Sequence, residues 1–372
     1  MERLLRVRRS LLPLLLASLL QADFEYKVHN SNFTLAEDSF IPASSERYVY
    51  NYERLRFRGD FTQGAFFATL IGDGVNYYSQ EYVNSLDFAF VKKRHADVPF
   101  QTRSSFYDYT QGTAYAKLYR LYGGYEDDAN RVTVGLQNIP MGVGRIWTPT
   151  NLFNPRNIYA LEPDETYGVF ALSYSRYVGE ATELNVVASQ KADYSYKYAL
   201  QYQSSFELAD VGVAFLHSDA TTMAGCSVEG NLGQSGVEVR SEGAYIKNED
   251  EALGNSFQGI IGADYAFVQS LTLTAEALYS SKTFTQTQRF AYYNSDVGIN
   301  LVGQHFYTAL HLSYDYSIYL NAALLYIESF EPEERFVAPS LTYTLNDYNS
   351  FSLGTQLQKA QQRYYFNWEF EF

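Results

Sequence analysis

The sequence predicts an all-β fold, a transmembrane antiparallel up-and-down β-barrel of about 18 strands, with about 16 strands as the alternative. Three observations lead to this prediction. Aromatic and polar residues alternate near the end of the chain, short polar turns separate alternating segments, and no long apolar run follows residue 22. A barrel also explains a mean hydropathy of only −0.27, because every second residue of a spanning strand meets lipid while the others line a wet interior.

The first 22 residues have the features of a secretory signal peptide. Arg3, Arg6, Arg8 and Arg9 precede a Leu-rich stretch, and Gln21-Ala22 supplies a small residue at its end. A membrane anchor is the competing interpretation, but the apolar run contains Pro13 and is short for a spanning helix. We therefore expect a signal peptide over 1–22 and a barrel over 23–372.

The strand count follows from the turns. Short polar or Gly-containing turns are predicted at 62–64, 127–130, 179–181, 207–210, 233–236, 268–270, 315–317 and 346–349. Longer outer loops are predicted at 79–112, 139–165, 218–225, 247–255, 281–304 and 328–334. An even number of strands then requires one more strand at the start, which 23–46 could supply. If that segment is a short plug instead, the alternative of about 16 strands applies.

The strand at 364–372 has one apolar and one wet face. Tyr364, Phe366, Trp368, Phe370 and Phe372 share one side, because successive side chains of a strand point to opposite faces. This strand, aromatic in alternation and ending on Phe, resembles the closing strand of a bacterial outer-membrane β-barrel porin. The resemblance implies an outer-membrane location, contact with outer-membrane lipids and lipopolysaccharide, and recognition of Phe372 by the barrel-assembly machinery.

Other strands show the same alternation. Val132, Val134 and Leu136 are predicted to face lipid while Arg131 and Thr133 face inward. Polar residues on the inward side indicate a hydrated lumen, because a barrel of this many strands is too wide to be filled by its own wall side chains.

Composition excludes several classes of function. The formal charge of −14 argues against a nucleic-acid partner, which requires clustered positive charge. Cys226 is the single cysteine, so it cannot form an internal disulfide. No motif for a nucleophile, a metal or a phosphate is present, and we expect no cofactor and no metal.

The most specific local pattern is a row of three arginines, Arg54, Arg56 and Arg58, that alternate with Leu55 and Phe57. Such a row cannot face lipid, so we predict a basic pore wall that attracts anionic solutes and also includes Arg131. Lys117 and Arg120 could extend this wall. The alternative is that the arginines pair with lumen carboxylates or lie in the headgroup region. Later strands carry the predicted acidic pore-lining residues, Glu238, Glu242, Asp264, Glu276 and Asp315.

The second pattern is the Gly- and Pro-rich segment 139–165, which is the third outer loop when a first outer loop at 37–45 is counted. It resembles, in position and length, the loop that folds into the barrel of general porins and narrows it. Trp147 and Phe153 could attach it to the wall, and charged residues could line the narrowing: Arg145, Arg156, Glu162, Asp164 and Glu165. The alternative is an ordered outer cap.

These patterns predict a passive or substrate-selective channel for small hydrophilic solutes or ions, without enzyme activity. The alternatives are a surface adhesin or receptor, an envelope-assembly barrel, and an outer-membrane hydrolase, for which we can place no catalytic group. General porins are often homotrimers, but no feature of the sequence requires one.

Overall fold

The computed structural model describes residues 23–41, 44–268, 270–330, 333–359 and 361–372. The predicted signal peptide, 1–22, lies outside these ranges. The described strands are β1 (Asp23–Asp38), β2 (Arg47–Gln63), β3 (Phe66–Tyr78), β4 (Tyr107–Tyr109), β5 (Gly112–Glu126), β6 (Asn130–Gln137), β7 (Val169–Val178), β8 (Thr182–Gln190), β9 (Tyr196–Ser205), β10 (Asp210–His217), β11 (Thr221–Asn231), β12 (Val237–Asn248), β13 (Ser256–Val268), β14 (Leu271–Ser280), β15 (Phe306–Ser317), β16 (Leu320–Phe330), β17 (Glu333–Asn346), β18 (Asn349–Gln358) and β19 (Gln362–Glu371). The helices are α1 (Gln80–Val83), α2 (Leu86–Lys93), α3 (Gln286–Ala291) and a 3-10 turn at Gly298–Asn300.

The sheet closes on itself. Each spanning strand pairs antiparallel with its neighbours, and β1 pairs with both β2 and β19. The three-residue β4 only extends the wall beside the upper part of β5. The remaining 18 strands form the barrel, so the predicted fold class and strand number are confirmed. Residues 23–38 supply the first strand rather than a plug.

The eight predicted turns all fall between strands at one end of the barrel. One predicted turn is displaced, because β15 continues through Ser317 and the turn follows at 318–319. On the other side, two predicted loops are wrong. In place of 218–225, β11 already begins at Thr221. In place of 328–334, β16 continues to Phe330 and β17 begins at Glu333. The connection 191–195 between β8 and β9 was not predicted.

Helices α1 and α2 of the connection 79–111 pack against the inner face of the barrel mouth. Ser79 and Ser85 begin α1 and α2, and each accepts a hydrogen bond from the backbone of its helix. Phe88 of α2 is fully buried, and Tyr82 of α1 stacks on Tyr50 of β2 with ring centroids 3.7 Å apart. Aromatic burial therefore fixes this connection to the wall. In the described part of the chain no helix is long and apolar enough to cross a membrane.

The outer wall is apolar, with one correction to the predicted register. Val134 is 53% exposed as expected, but Leu136 is only 1% exposed. Leu136 packs with Ala96 and Val98, so the connection 79–111 covers it. The strand is also irregular here, because Gly135 has a φ of 130°.

We expect Gly135→Ala to destabilise the barrel. Its φ of 130° strains any L side chain, and the new Cβ would lie 2.2 Å from the Leu121 carbonyl oxygen. Backbone strain of this kind costs about 1–3 kcal/mol. Thermal unfolding, followed by gel migration before and after boiling, measures the loss. Gly243→Ala is the matched control, since its Cβ would meet only ordinary contacts at 3.5 Å; equal stability of the two variants would contradict the prediction.

Candidate functional site in the barrel interior

The arginine row of β2 lies on the inner face. Leu55 and Phe57 are 51% and 41% exposed on the outer wall, which places Arg54, Arg56 and Arg58 on the opposite side. The alternation in the sequence therefore gives their direction correctly.

Acidic partners surround these arginines. Arg54 pairs with Glu162 at 2.7 Å and with Glu165 at 2.8 Å. Arg56 pairs with Glu165 at 2.8 Å and with Asp73 of β3 at 2.7 Å. Arg58 lies nearer the turn and pairs with Asp60 at 2.6 Å. The row therefore consists of paired charges, which is the geometry of the alternative interpretation.

Further cations gather around one tyrosine of β5. The Tyr119 ring lies 3.9 Å from the Arg56 guanidinium, 4.0 Å from that of Arg120 and 4.7 Å from the Lys117 ammonium. Arg120 donates to the Thr166 carbonyl at 3.0 Å rather than to a carboxylate. Four cations, Arg54, Arg56, Lys117 and Arg120, thus lie near three carboxylates, Asp73, Glu162 and Glu165. We call these seven residues the basic cluster.

Arg131 does not belong to the basic cluster. It lies at the turn end of β6, where it pairs with Glu126 at 3.6 Å, and both side chains are more than 40% exposed.

Two of the predicted acidic residues bind the backbone of segment 139–165. Glu242 of β12 accepts from the backbone N–H groups of Val143, Gly144 and Thr150 at 2.7–3.1 Å. Glu276 of β14 accepts from the N–H groups of residues 145, 146 and 147 at 2.7–3.2 Å. Both carboxylates are 2–3% exposed. They face inward as predicted, but the segment covers them, so they do not line an open pore.

A second charged group lies below these two carboxylates. Arg145 of the segment pairs with Glu238 at 2.8 Å and approaches Asp264 at 3.5 Å. Arg240, which is 2% exposed, pairs with Asp264 and lies 3.3 Å from Glu276. The acidic wall therefore contains its own buried arginine. Asp315 stands apart near a turn, where it accepts from Asn321 at 2.7 Å.

The remaining segment residues divide into wall contacts and exposed charges. Phe153 is 8% exposed in the main apolar cluster, and Trp147 packs beside Tyr307 with ring centroids 6.1 Å apart. Arg156 pairs with Asp164 at 2.8 Å, and both side chains are exposed.

Segment 139–165 contacts opposite walls. Its Glu162 and Glu165 pair with β2, whereas its residues 143–150 bind β12 and β14. In the 18-strand wall β2 is the second strand and β12 the eleventh, which is half-way round the barrel.

The two segment carboxylates differ in acidity. Burial raises the pKa of Glu165, but the hydrogen bond from Arg56 and the charge of Arg54 outweigh it and lower the pKa to about 2. Burial also raises the pKa of Glu162, and here Arg54 offsets only part of the effect. Glu162 is therefore the first of the pair to take up a proton as the pH falls.

A cavity of about 640 Å³ opens beside the basic cluster on the long-loop side. Its aromatic lining includes Tyr50, Tyr52, Tyr77, Tyr159 and Phe336. Its charged lining comprises Arg94, Arg156, Arg289, Arg335, Lys359 and Arg363 on the basic side and Glu162, Glu165 and Glu334 on the acidic side. The lining thus has more basic than acidic residues, although the chain as a whole has a net charge of −14.

Sequence reasoning missed Asp73, Glu229 and Arg240. Asp73 stands between two glycines in an alternating strand, so its inward direction was readable. Its pairing with Arg56 depends on the β2–β3 register, in which the two residues lie opposite each other. Arg240 lies between Glu238 and Glu242 on the same face, a signal that the acidic pattern concealed.

We expect Glu242→Gln and Glu276→Gln each to loosen segment 139–165. The amide nitrogen of Gln is a donor, and it would face backbone N–H groups that are also donors. Each buried polar group left without a partner costs about 1–3 kcal/mol of stability. Limited proteolysis within 139–165 should become faster in both variants while the barrel remains folded. Asp315→Asn is the control, since Asp315 does not contact the segment. Cleavage at the wild-type rate in both variants would show that these carboxylates do not hold it.

No protein family and no curated protein matches the chain in sequence. Solved structures match it in fold. A BenF-like porin from Pseudomonas fluorescens Pf-5 has a TM-score of 0.60 at 10% identity, over 94% of this chain and 98% of that chain. OccAB1 of Acinetobacter baumannii has a TM-score of 0.59 at 10% identity, over 94% and 96%. OpdK of Pseudomonas aeruginosa, solved with vanillate, has a TM-score of 0.56 at 10% identity, over 94% and 98%.

Identity this low shows a shared fold only. The lipid-facing apolar wall of the closed barrel agrees with the membrane location of that fold. The chain is an 18-strand antiparallel β-barrel with the fold of the Gram-negative outer-membrane porins.

Proposed function

We propose that the protein is a diffusion channel for small hydrophilic solutes, in which segment 139–165 folds inward and narrows the lumen beside the basic cluster. The observation that carries this proposal is the attachment of one segment to opposite walls, through Glu162 and Glu165 on one side and through Glu242 and Glu276 on the other. A cap above the barrel would not reach carboxylates in the middle of β12 and β14. The lumen beside the segment is then the narrow zone.

The charge of this zone favours anions. Its four cations exceed its three carboxylates, and the adjoining cavity has six basic and three acidic residues in its lining. Fixed positive charge beside a narrow aqueous path concentrates anions over roughly a Debye length, about 8 Å at physiological salt. The aromatic rings of the cavity add surfaces on which a planar solute can stack. Vanillate, the compound named with OpdK, is an aromatic carboxylate, and we propose small aromatic or other organic anions as solutes here.

The alternative functions make a different prediction about conductance. An adhesin, an envelope-assembly barrel or a hydrolase has no need of an open path through this zone. Purified protein in a planar bilayer with a salt gradient should show discrete channels with an anion-shifted reversal potential. A folded protein without conductance would overturn the channel proposal.

Replacing arginines of the basic cluster tests its charge. In Arg54→Gln/Arg56→Gln, Glu162 and Glu165 lose their partners, so the zone becomes net acidic. The reversal potential should move towards cation preference, and more strongly at low salt because screening is weaker. Glu162→Gln/Glu165→Gln should move it in the opposite direction. Arg131→Gln is the control, because that residue is exposed at a turn. If the wild type and the three variants gave the same reversal potential, the basic cluster would lie outside the permeation path.

Protonation of Glu162 should make the reversal potential depend on pH. Its pKa is raised by burial, so it becomes neutral before Glu165 does as the pH falls. The zone then gains one net positive charge, and anion preference should increase between about pH 7 and pH 4. Reversal potentials measured across this range provide the test. In Glu162→Gln the change should be largely absent, and an unaltered pH profile in that variant would assign the titration to another group.

A further inference from the structure

Many charged side chains of the lumen form ion pairs, so its long-range electric field depends on the charges that have no partner of opposite sign. A cation and a carboxylate in contact largely cancel each other at distances beyond their own separation. An unpaired charge, in contrast, acts over about a Debye length, roughly 8 Å at physiological salt. The two ends of the lumen differ in the sign of these unpaired charges.

On the long-loop side the unpaired charges are mainly positive. Of the carboxylates that line the cavity, Glu162 and Glu165 pair with arginines of β2, and Glu334 has no cationic partner within the described part of the chain. Five cations form no ion pair within these same residue ranges. They are Arg94, Arg289 and Lys359 in the cavity lining and Lys117 and Arg120 in the basic cluster.

On the turn side the unpaired charges are negative. These carboxylates lie within three residues of the turn-side end of a strand, and each adjoins an outward apolar residue, which places it on the lumen face. For example, Glu183 adjoins Leu184 and Glu369 adjoins Trp368, which are 37% and 40% exposed on the outer wall. The carboxylates without a cationic partner in the described ranges are Glu25, Glu183, Asp210, Asp315 and Glu369.

The lysines and arginines that face the turn side of the lumen do not offset this negative charge, because they are paired with other carboxylates. Arg145 pairs with Glu238, and Arg240 pairs with Asp264. The other pairs are Lys27 with Glu371, Arg58 with Asp60, and Arg131 with Glu126. The unpaired charge of the lumen is therefore positive towards the long loops and negative towards the turns.

A lumen with opposite charges at its two ends responds differently to the two directions of an applied voltage. Anions concentrate near its positive end and cations near its negative end, because fixed charges attract mobile ions of opposite sign. A voltage that makes the turn side positive drives both kinds of ion towards the middle of the lumen, where they accumulate. The reverse voltage draws both kinds of ion away from the middle, and the depleted region there resists current.

We propose that the channel is an ionic rectifier, which conducts more current when the turn side is positive than when it is negative. The inference rests on the proposed channel function but does not depend on the identity of the solute. A potential that is negative on the turn side then limits the leak of small ions, whereas the passage of a neutral solute is unaffected. The asymmetry should weaken as salt shortens the Debye length, from about 10 Å at 0.1 M to about 3 Å at 1 M.

The first test measures single-channel currents in planar bilayers. Gln234 lies in an exposed turn, so biotin on Gln234→Cys in a Cys226→Ser background reports orientation, because streptavidin binds it only from the turn side. At about 0.1 M salt and 100 mV, the current with the turn side positive should be about twice that with the turn side negative, and the ratio should approach one at about 1 M.

Three results would overturn the inference alone: equal currents at both polarities, a larger current with the turn side negative, and a ratio that is unchanged at high salt. The last result would assign the asymmetry to the shape of the lumen rather than to its charge. A folded protein without any conductance would overturn the proposed channel function as well.

The second test removes unpaired charges from the turn side. In Glu183→Gln/Asp315→Asn/Glu369→Gln three such charges are lost and no ion pair is broken, so the current ratio at about 0.1 M salt should fall towards one. Arg58→Gln/Asp60→Asn is the matched control, because it removes both members of an ion pair on the same face of the lumen, and its ratio should equal that of the wild type. A wild-type ratio in the triple variant, or an equal loss in the control, would contradict the proposal.

Discussion

Closure of the backbone hydrogen bonds between the first and last strands is the constraint on which the rest of the structure depends. Val28 and Phe372 exchange two backbone hydrogen bonds of 2.8 Å, and nine residue pairs continue the β1–β19 ladder. In lipid, an open sheet edge would leave a row of unpaired amides. Once the wall is closed, the alternation of side chains along each strand places each residue on the lipid side or on the lumen side. Charged side chains on the lumen side must then be paired within the barrel.

Those partners come largely from one segment. Glu242 and Glu276 lose nearly all contact with water, a cost that carboxylates avoid only when hydrogen bonds to the charged form replace it. Backbone N–H groups of residues 143–150 supply these bonds. The same bonds provide acceptors for the backbone N–H groups of a stretch of chain that has no regular secondary structure. The buried carboxylates and the irregular segment therefore stabilise each other, which gives an unsupported loop a fixed position.

The features that could be predicted from the sequence are those that depend on local periodicity. The 18-strand count followed from turns and parity, and the inward direction of Arg54 and Arg56 followed from Leu55 and Phe57. Pairing could not be predicted in the same way. Arg54 and Glu162 are 108 residues apart, and nothing in the local sequence links them. Glu242 was expected on an open wall, because periodicity cannot show that another segment covers it. The prediction that Leu136 is exposed to lipid was wrong for the same reason, since the residues that cover it, Ala96 and Val98, belong to a connection distant in sequence.

Strand β2 brings together the two unusual features of the molecule. Its inner face carries Arg54 and Arg56 of the basic cluster. Its outer face carries Glu53, whose sequence neighbours Tyr52 and Arg54 face the lumen. Because a one-residue shift in register exchanges the two faces of a strand, β2 cannot slide without moving charges into lipid and apolar side chains into the lumen.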